Sequence, residues 1–531
     1  MATCNRAGRR QRLLFLAMLF AFPRLEVVAQ PATTSTAAAP VVRTRAGAVQ
    51  GITLPSGVRA FRGIPFAAPP VRELRWRPPQ PAAKWQGVRV SDRFANQCMQ
   101  ARVFADMMFR NSGVSEDCLY LNVWAPARAR AGSGLPVLVY FFGGGFVAGD
   151  GSEFRYDGES MARRGIIVVT TSYRLGIFGF FAHPELTAES PRQASGDYGL
   201  LDQTAALRWV SANISAFGGD PQRVTIAGES AGSMSVSAQM ASPHARGLFA
   251  RAIGESGAFF SSSGPMPTRE QMEQNGARFG AAVGAPSLAA LRALSAAELL
   301  EMAGRQSMPR FGATVDGYFF SESPAQAYAA GRQARVPLLA GWNSEESSWR
   351  SLTPRPPTPD SANAVLARVF GGRAGEAAQY YPAHDSAEAL QSLTDLASDR
   401  FIAYSTWKWL DVHAATSGQP VYRYLYARPR PGASGAVHSA EIEYALGNLA
   451  TNKVYSWTPD DERVSTTMQS YFANFITTGD PNGSGLPTWP VGTVGTNGEA
   501  QRLRIDIEPR VEAEPRARYR FLDEVFATGR P

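Results

Sequence analysis

Apolar residues in this chain gather into short unbroken runs separated by stretches of helical spacing. Leu135 to Phe141 (LPVLVYF) is one such run, and it stops at Gly143-Gly144-Gly145. Gly165 to Ser172 (GIIVVTTS) is another, and Arg223 to Ala227 (RVTIA) a third. Runs without polar alternation predict strands covered on both faces. Thr204 to Ala216 has helical spacing and is stopped by Gly218-Gly219-Asp220-Pro221, while Ala231 to Met240 is compatible with a helix. Val336 to Ala340 and Val421 to Tyr426 supply later strands. The segments from about 265 to 330 and 355 to 415 are Ala-rich and helical, and read as insertions around the sheet. Strands alternating with helices predict the α/β class, with a mostly parallel central sheet and helices on both faces.

The N-terminus changes the picture of where the protein works. Arg6, Arg9, Arg10 and Arg12 precede an apolar run from Leu13 to Phe22, too short to span a bilayer comfortably. Val27-Val28-Ala29 fits a cleavage site. Residues 1–29 therefore read as a signal peptide and 30–42 as a flexible tether rich in Ala, Thr and Pro, with one domain over 43–531. A secreted or periplasmic protein is expected, without stable membrane insertion after cleavage. Loss of residues 1–29 removes five Arg and one Glu, so the formal charge falls from +8 to +4. That balance, with no Lys/Arg block elsewhere, argues against a nucleic-acid partner. Cys98 and Cys118 remain as an even pair in an oxidising compartment, which predicts a disulfide.

The candidate chemistry centres on Gly228-Glu229-Ser230-Ala231-Gly232. A Gly-x-Ser-x-Gly sequence alone is weak. Between a predicted strand and a predicted helix it reads as a nucleophile elbow, with small neighbours allowing a sharp turn at the serine. A serine needs a base to take its proton. Of five histidines, His384, His413 and His438 follow both Ser230 and a plausible acid. His438 lies on a Gly/Ser-rich loop after a late strand, a position suited to reach back to the serine. Glu345 and Glu346 both follow the Val336–Ala340 strand, and the residues alone leave that choice open. Gly144 and Gly145, with Ala231, offer backbone N–H groups for an oxyanion hole. No Lys-Ser/Thr follows the glycines, so a phosphate-cradling P-loop is excluded.

At this point the chain resembles the type-B carboxylesterase family. This branch of the α/β-hydrolases includes bacterial para-nitrobenzyl esterases, animal carboxylesterases and cholinesterases. The resemblance runs from about 42 to 525, through Phe61-Arg62-Gly63-Ile64-Pro65-Phe66, Ser115 to Val123, Gly199 to Gln203, Phe217 to Gly232, Gly341-Trp342-Asn343 and His438-Ser439-Ala440-Glu441-Ile442. It implies an α/β-hydrolase fold with helical insertions over the active site. It also implies a catalytic triad of Ser230, Glu346 and His438, oxyanion donors at Gly144, Gly145 and Ala231, and a Cys98–Cys118 disulfide. Ser256 matches a serine that hydrogen-bonds near the acid, and we place Glu229 beside it as a supporting residue. The implied substrate is a small carboxylic ester, with no metal or organic cofactor; oligomeric state is not readable. Phe142, Ser172, Glu255 and Ser347 depart from the usual His, Asn, Gln and Gly. Residues 99–117 hold no Trp, which argues against choline esters. The rivals are a non-catalytic binding or adhesion member of the fold, and an amidase or specialised detoxifying esterase.

Overall fold

The computed structural model describes residues 39–260, 264–495 and 498–527. The expected signal peptide lies outside the described residues, as does most of the tether. The tether ends earlier than expected: Val41–Arg43 is already a strand, paired antiparallel with Ala48–Gln50, and Val42 is buried. An apolar pair that finds a sheet partner pays back its ordering entropy.

Eleven strands make the central sheet: β1 (Ile52–Thr53), β2 (Arg59–Pro65), β3 (Tyr120–Ala125), β4 (Leu135–Phe141), β5 (Ile167–Thr171), β6 (Gly219–Glu229), β7 (Arg251–Glu255), β8 (Leu338–Asn343), β9 (Val421–Tyr426), β10 (Gln501–Ile505) and β11 (Arg510–Ala513). Their order is β11-β10-β9-β8-β7-β6-β4-β5-β3-β2-β1. The block from β10 to β5 is parallel, and antiparallel pairs close both edges. With helices around a mostly parallel sheet, this is the α/β-hydrolase architecture. The β4 and β9 limits coincide with the predicted runs, because residues buried on both faces leave no polar alternation to blur the ends.

Three elements differ from expectation. Helix α1 spans Tyr198–Phe217 and starts six residues before Thr204. Its first turns are buried all round, including Asp202 and Gln203, so no polar face marks them. Strand β6 begins at Gly219 rather than Arg223, with a register shift between Gly219 and Val224 that the Gly-Asp-Pro sequence conceals. Strand β8 starts after Pro337, which has no N–H to give the ladder, and runs on to Asn343. The Ala-rich segments form helices as expected, among them Arg269–Ala282, Pro359–Phe370, Ser386–Ser398 and Tyr404–Ser417.

Cys98 and Cys118 form a disulfide. The stems of its loop pair as Gln97–Cys98 with Val114–Ser115.

Candidate active site

Strand β6 ends at Glu229 and helix α2 (Ala231–Ala241) begins at once, leaving Ser230 as the whole turn at φ 56° and ψ −121°. A non-glycine residue there stores about 1–3 kcal/mol of strain. The turn is tied on both sides: Ser230 N donates to Glu255 O (2.8 Å), and Met234 N donates to Ser230 O (2.9 Å). A Cβ at Gly232 would lie 2.0 Å from Phe141 O, and one at Gly228 would lie 2.5 Å from the Gly232 carbonyl carbon. Only glycine lets α2 start this close to the end of β4.

Of the three histidines left open by position, His438 is the one brought to this turn. Its Nδ1 lies 2.6 Å from Glu346 Oε2 and its Nε2 lies 3.2 Å from Glu229 Oε1. Phe401 meets the imidazole edge-on at 5.0 Å between centroids. His413 is buried against Val336 O (2.9 Å), where burial pushes it down to about 4. His384 is exposed and pairs with Glu388 on a helix surface. The two glutamates separate as clearly. Glu346 is buried, and its Oε1 accepts from Ser256 Oγ (2.5 Å) and Asn343 N (2.6 Å). Glu345 instead packs over Gly435, where an added Cβ would overlap its carboxyl. Ser230 Oγ makes no hydrogen bond to His438; Nε2 faces Glu229, whose Oε1 also accepts from Ser439 Oγ (2.6 Å).

The glycine segment lies against the serine. A Cβ at Gly143 would stand 3.1 Å from Ser230 Cβ and 2.7 Å from Glu229 O. Gly144 has φ 115° and Gly145 φ 62°, and a Cβ at Gly144 would meet Ala148 O at 2.1 Å and Met107 Cε at 3.1 Å. Met107 belongs to the disulfide loop, which therefore reaches the glycines. Among the described residues the amides of Gly144, Gly145 and Ala231 donate no hydrogen bond, leaving three donors beside Ser230.

Two site residues went unassigned in the sequence reading. Glu441, fully buried, accepts from Asn343 Nδ2 (2.6 Å), and its Oε1 lies 3.3 Å from Ser256 Oγ, whose proton goes to Glu346; Asn343 Nδ2 also donates to Val437 O (2.8 Å). Asn343 thereby ties the acid loop to the histidine loop. Both stand inside motifs quoted for the resemblance, which was the available signal; their partners are about 100 residues away in the chain.

The carboxylesterase family model matches residues 38–522. The chain belongs to the carboxylesterase family. It is 38% identical over 468 residues to the fumonisin B1 esterase of Sphingopyxis macrogoltabida, covering 85% of this chain and 84% of that protein. It is 38% identical over 503 residues to carboxylesterase 5A of Canis lupus familiaris, covering 88% and 84%. Among solved structures, a Geobacillus stearothermophilus carboxylesterase superposes with a TM-score of 0.78 at 33% identity, covering 91% of this chain and 99% of that one. The PNB esterase gives 0.76 at 33%, covering 91% and 100%. The protein is a carboxylic-ester hydrolase.

In this carboxylesterase the four departures have visible partners. Phe142 stacks on Tyr173 at 4.2 Å and 12°, and Tyr173 OH donates to Phe142 O (2.6 Å), bracing the segment before the glycines. Ser172 Oγ donates to buried Asp150 (3.2 Å). Ser347 N donates to Ser398 Oγ and its carbonyl accepts from it, both at 3.1 Å, pinning the acid loop to a helix end. Glu255 is fully buried; Tyr140 OH donates to its Oε1 (3.1 Å), and its Oε2 has no partner. It stands in register with Glu229 on the adjacent parallel strand.

Glu229, Glu346 and Glu441 thus gather three buried carboxyls around one imidazole, and Glu255 adds a fourth beside Glu229 and Glu441. Burial first, then the neighbouring carboxylates Glu441 and Glu229, push Glu255 well above the ordinary glutamate value. Burial, then Glu229 and Glu346, raises Glu441 to about 8. Burial lowers His438, but Glu229 and Glu346 outweigh it and raise the imidazole to about 9. Glu229 is itself raised by burial. A bare carboxylate oxygen facing a bare imidazole nitrogen is repulsive, so one proton lies between Glu229 Oε1 and His438 Nε2 at rest.

Proposed function

We propose that this carboxylesterase works through an acyl-enzyme on Ser230, with His438 as the base and Glu346 as the acid that orients it. The observation that carries this reading is the His438 Nδ1 to Glu346 Oε2 contact of 2.6 Å beside the strained Ser230 turn. Nδ1–H stays bound to Glu346; once the proton shared between Nε2 and Glu229 has left to solvent, Nε2 accepts the Ser230 proton as Oγ attacks the ester carbonyl. The tetrahedral oxyanion is held by the amides of Gly144, Gly145 and Ala231, at the start of α2. Imidazolium then protonates the leaving alcohol. Water, deprotonated by His438, releases the acid and restores Ser230. Ser256 and Asn343 N hold Glu346 in place. No step calls for a metal or an organic cofactor.

The test is Ser230→Ala, assayed with a short-chain aryl ester. Turnover falls by about five orders of magnitude or more, and an organophosphonate labels only the wild type, on Ser230. Labelling elsewhere, or wild-type turnover in the variant, overturns the reading.

We also place the protein outside the cytoplasm, with residues 1–29 as signal peptide and 30–40 as tether to the domain. The basic-then-apolar N-terminus and the disulfide support this. The exported protein is expected to begin near Gln30 by N-terminal sequencing; an intact Met1 in that fraction would count against it.

A further inference from the structure

We propose that the cleft between β2 and the stem of the disulfide loop binds a small organic anion carrying a carboxylate or phosphate group, at a site separate from Ser230. The cleft measures about 450 Å³, and its walls include Arg62, Arg89, Arg93, Phe94, Asn96 and Tyr120. None of these belongs to the reaction centre.

The argument starts from Arg62. Its guanidinium makes no hydrogen bond to any described residue, and its Nε is sealed from solvent without a partner. It sits 4.8 Å over the Phe94 ring. Arg110 lies 4.5 Å from the same ring, but Arg110 has its own carboxylate, Asp157 at 2.5 Å. Two like charges therefore share one ring, and only one of them is paired. Burial, then Arg110, disfavours the charge on Arg62; Asp157, Glu159 and Asp92 favour it from a distance, but none of them accepts a hydrogen bond from its guanidinium. A half-buried guanidinium with idle donors is costly in a native fold and calls for an acceptor.

The carboxylates in the cleft walls are already engaged. Asp92 Oδ1 accepts from Arg93 Nε (2.9 Å), and Asp117 Oδ1 accepts from Tyr120 OH (2.8 Å). Arg89, exposed, makes no ion pair and lies 5.8 Å over the Tyr120 ring. Arg62 and Arg89, neither of them in an ion pair, thus both line one cleft. Carboxylate and phosphate are the groups whose geometry a guanidinium fork matches. The cleft volume suits a ligand of metabolite size.

The position gives the site a consequence. Ser112 Oγ donates to Asn96 Oδ1 (3.0 Å) across the loop stem, just outside the Gln97–Ser115 strand pair. The same loop carries Met107 to Gly144. An anion held at the stem braces the loop that covers the oxyanion donors.

Isothermal titration of the full-length mature protein with inorganic phosphate, and separately with citrate, tests this in a chloride buffer. We expect saturable binding of at least one anion, weakened about tenfold or more in Arg62→Gln and in Arg89→Gln. Arg89 is exposed, so its substitution keeps the test open if Arg62→Gln fails to fold. Protein labelled by an organophosphonate should still bind the anion. No saturable binding of either anion, equal binding in the Arg89→Gln variant, or binding abolished by the label would each overturn the proposal. Which of the two anions binds assigns the headgroup.

Discussion

Ser230, His438 and Glu346 come from three turns separated by more than 90 residues each, and each turn has a separate local cause. Ser230 is strained between glycines that admit a close helix start. Glu346 closes back on Asn343 N, and His438 sits on a loop held by Asn343 Nδ2. Because Glu346, not Glu345, meets Nδ1, Glu346→Gln is expected to lower kcat by about 10³- to 10⁴-fold through loss of the correct tautomer. Glu345→Gln should leave kcat within a few-fold. Steady-state kinetics of the two variants decide this, and equal losses would contradict the assignment.

The proton between Glu229 and His438 has a kinetic cost. In the proposed mechanism Ser230 is deprotonated only after Nε2 is free, and the paired carboxylates hold the imidazolium above the 6.5 of a free histidine. The acid limb of kcat/KM is therefore expected to lie above that value. Glu229→Gln removes the largest favourable charge and should move the limb toward lower pH. A pH–rate profile unchanged by the substitution would rule out this coupling.

At the scale of elements, several quoted motifs prove to be joints rather than chemistry. Arg174 meets buried Asp202 through Nε–Oδ2 and Nη2–Oδ1 contacts, both 2.8 Å, locking the segment after β5 to α1. Arg75 grips Glu116 in the same two-pronged way, both at 2.6 Å, beside the disulfide. These pairs hold loops whose backbones pass near the glycines. Asp202→Asn strands a buried guanidinium and is expected to cost about 3–5 kcal/mol of stability, read as a lower urea midpoint. A midpoint matching wild type would mean that the pair is replaceable by one amide.

At the scale of the whole molecule, the four-carboxyl cluster makes stability depend on pH. Folded Glu255 keeps its proton far above the 4.5 of a free glutamate. Above that pH the native state holds a proton that the unfolded chain has lost. Rising pH therefore removes stability, by up to about 1.4 kcal/mol per unit for one such group. Below it both states are protonated and the group contributes no slope. Glu255→Gln lacks the group, so its midpoint advantage over wild type should grow from pH 5 to pH 8. Chemical denaturation at both values tests this, and parallel curves would refute it.

Much of this architecture was readable along the chain. β4 and β9 were bounded residue for residue, since strands buried on both faces write their limits as unbroken apolar runs. The elbow was readable because its constraint is local: strand, glycine, serine, glycine, helix. The start of helix α1 and the first residues of β6 are not legible in the pattern, because buried polar residues and a bulge interrupt it. Position alone favours His438 among three histidines but leaves two glutamates level, and motif resemblance selects Glu346. Local pattern determined the class of fold, the turn that exposes Ser230 and the loops that carry its partners. Tertiary structure alone decided which carboxylate touches which nitrogen, that Glu229 meets Nε2, and that Arg62 lines a cleft with its Nε unpartnered. Those facts depend on side chains from strands and loops remote in sequence converging within hydrogen-bond distance, and no periodicity in a single segment records such a meeting.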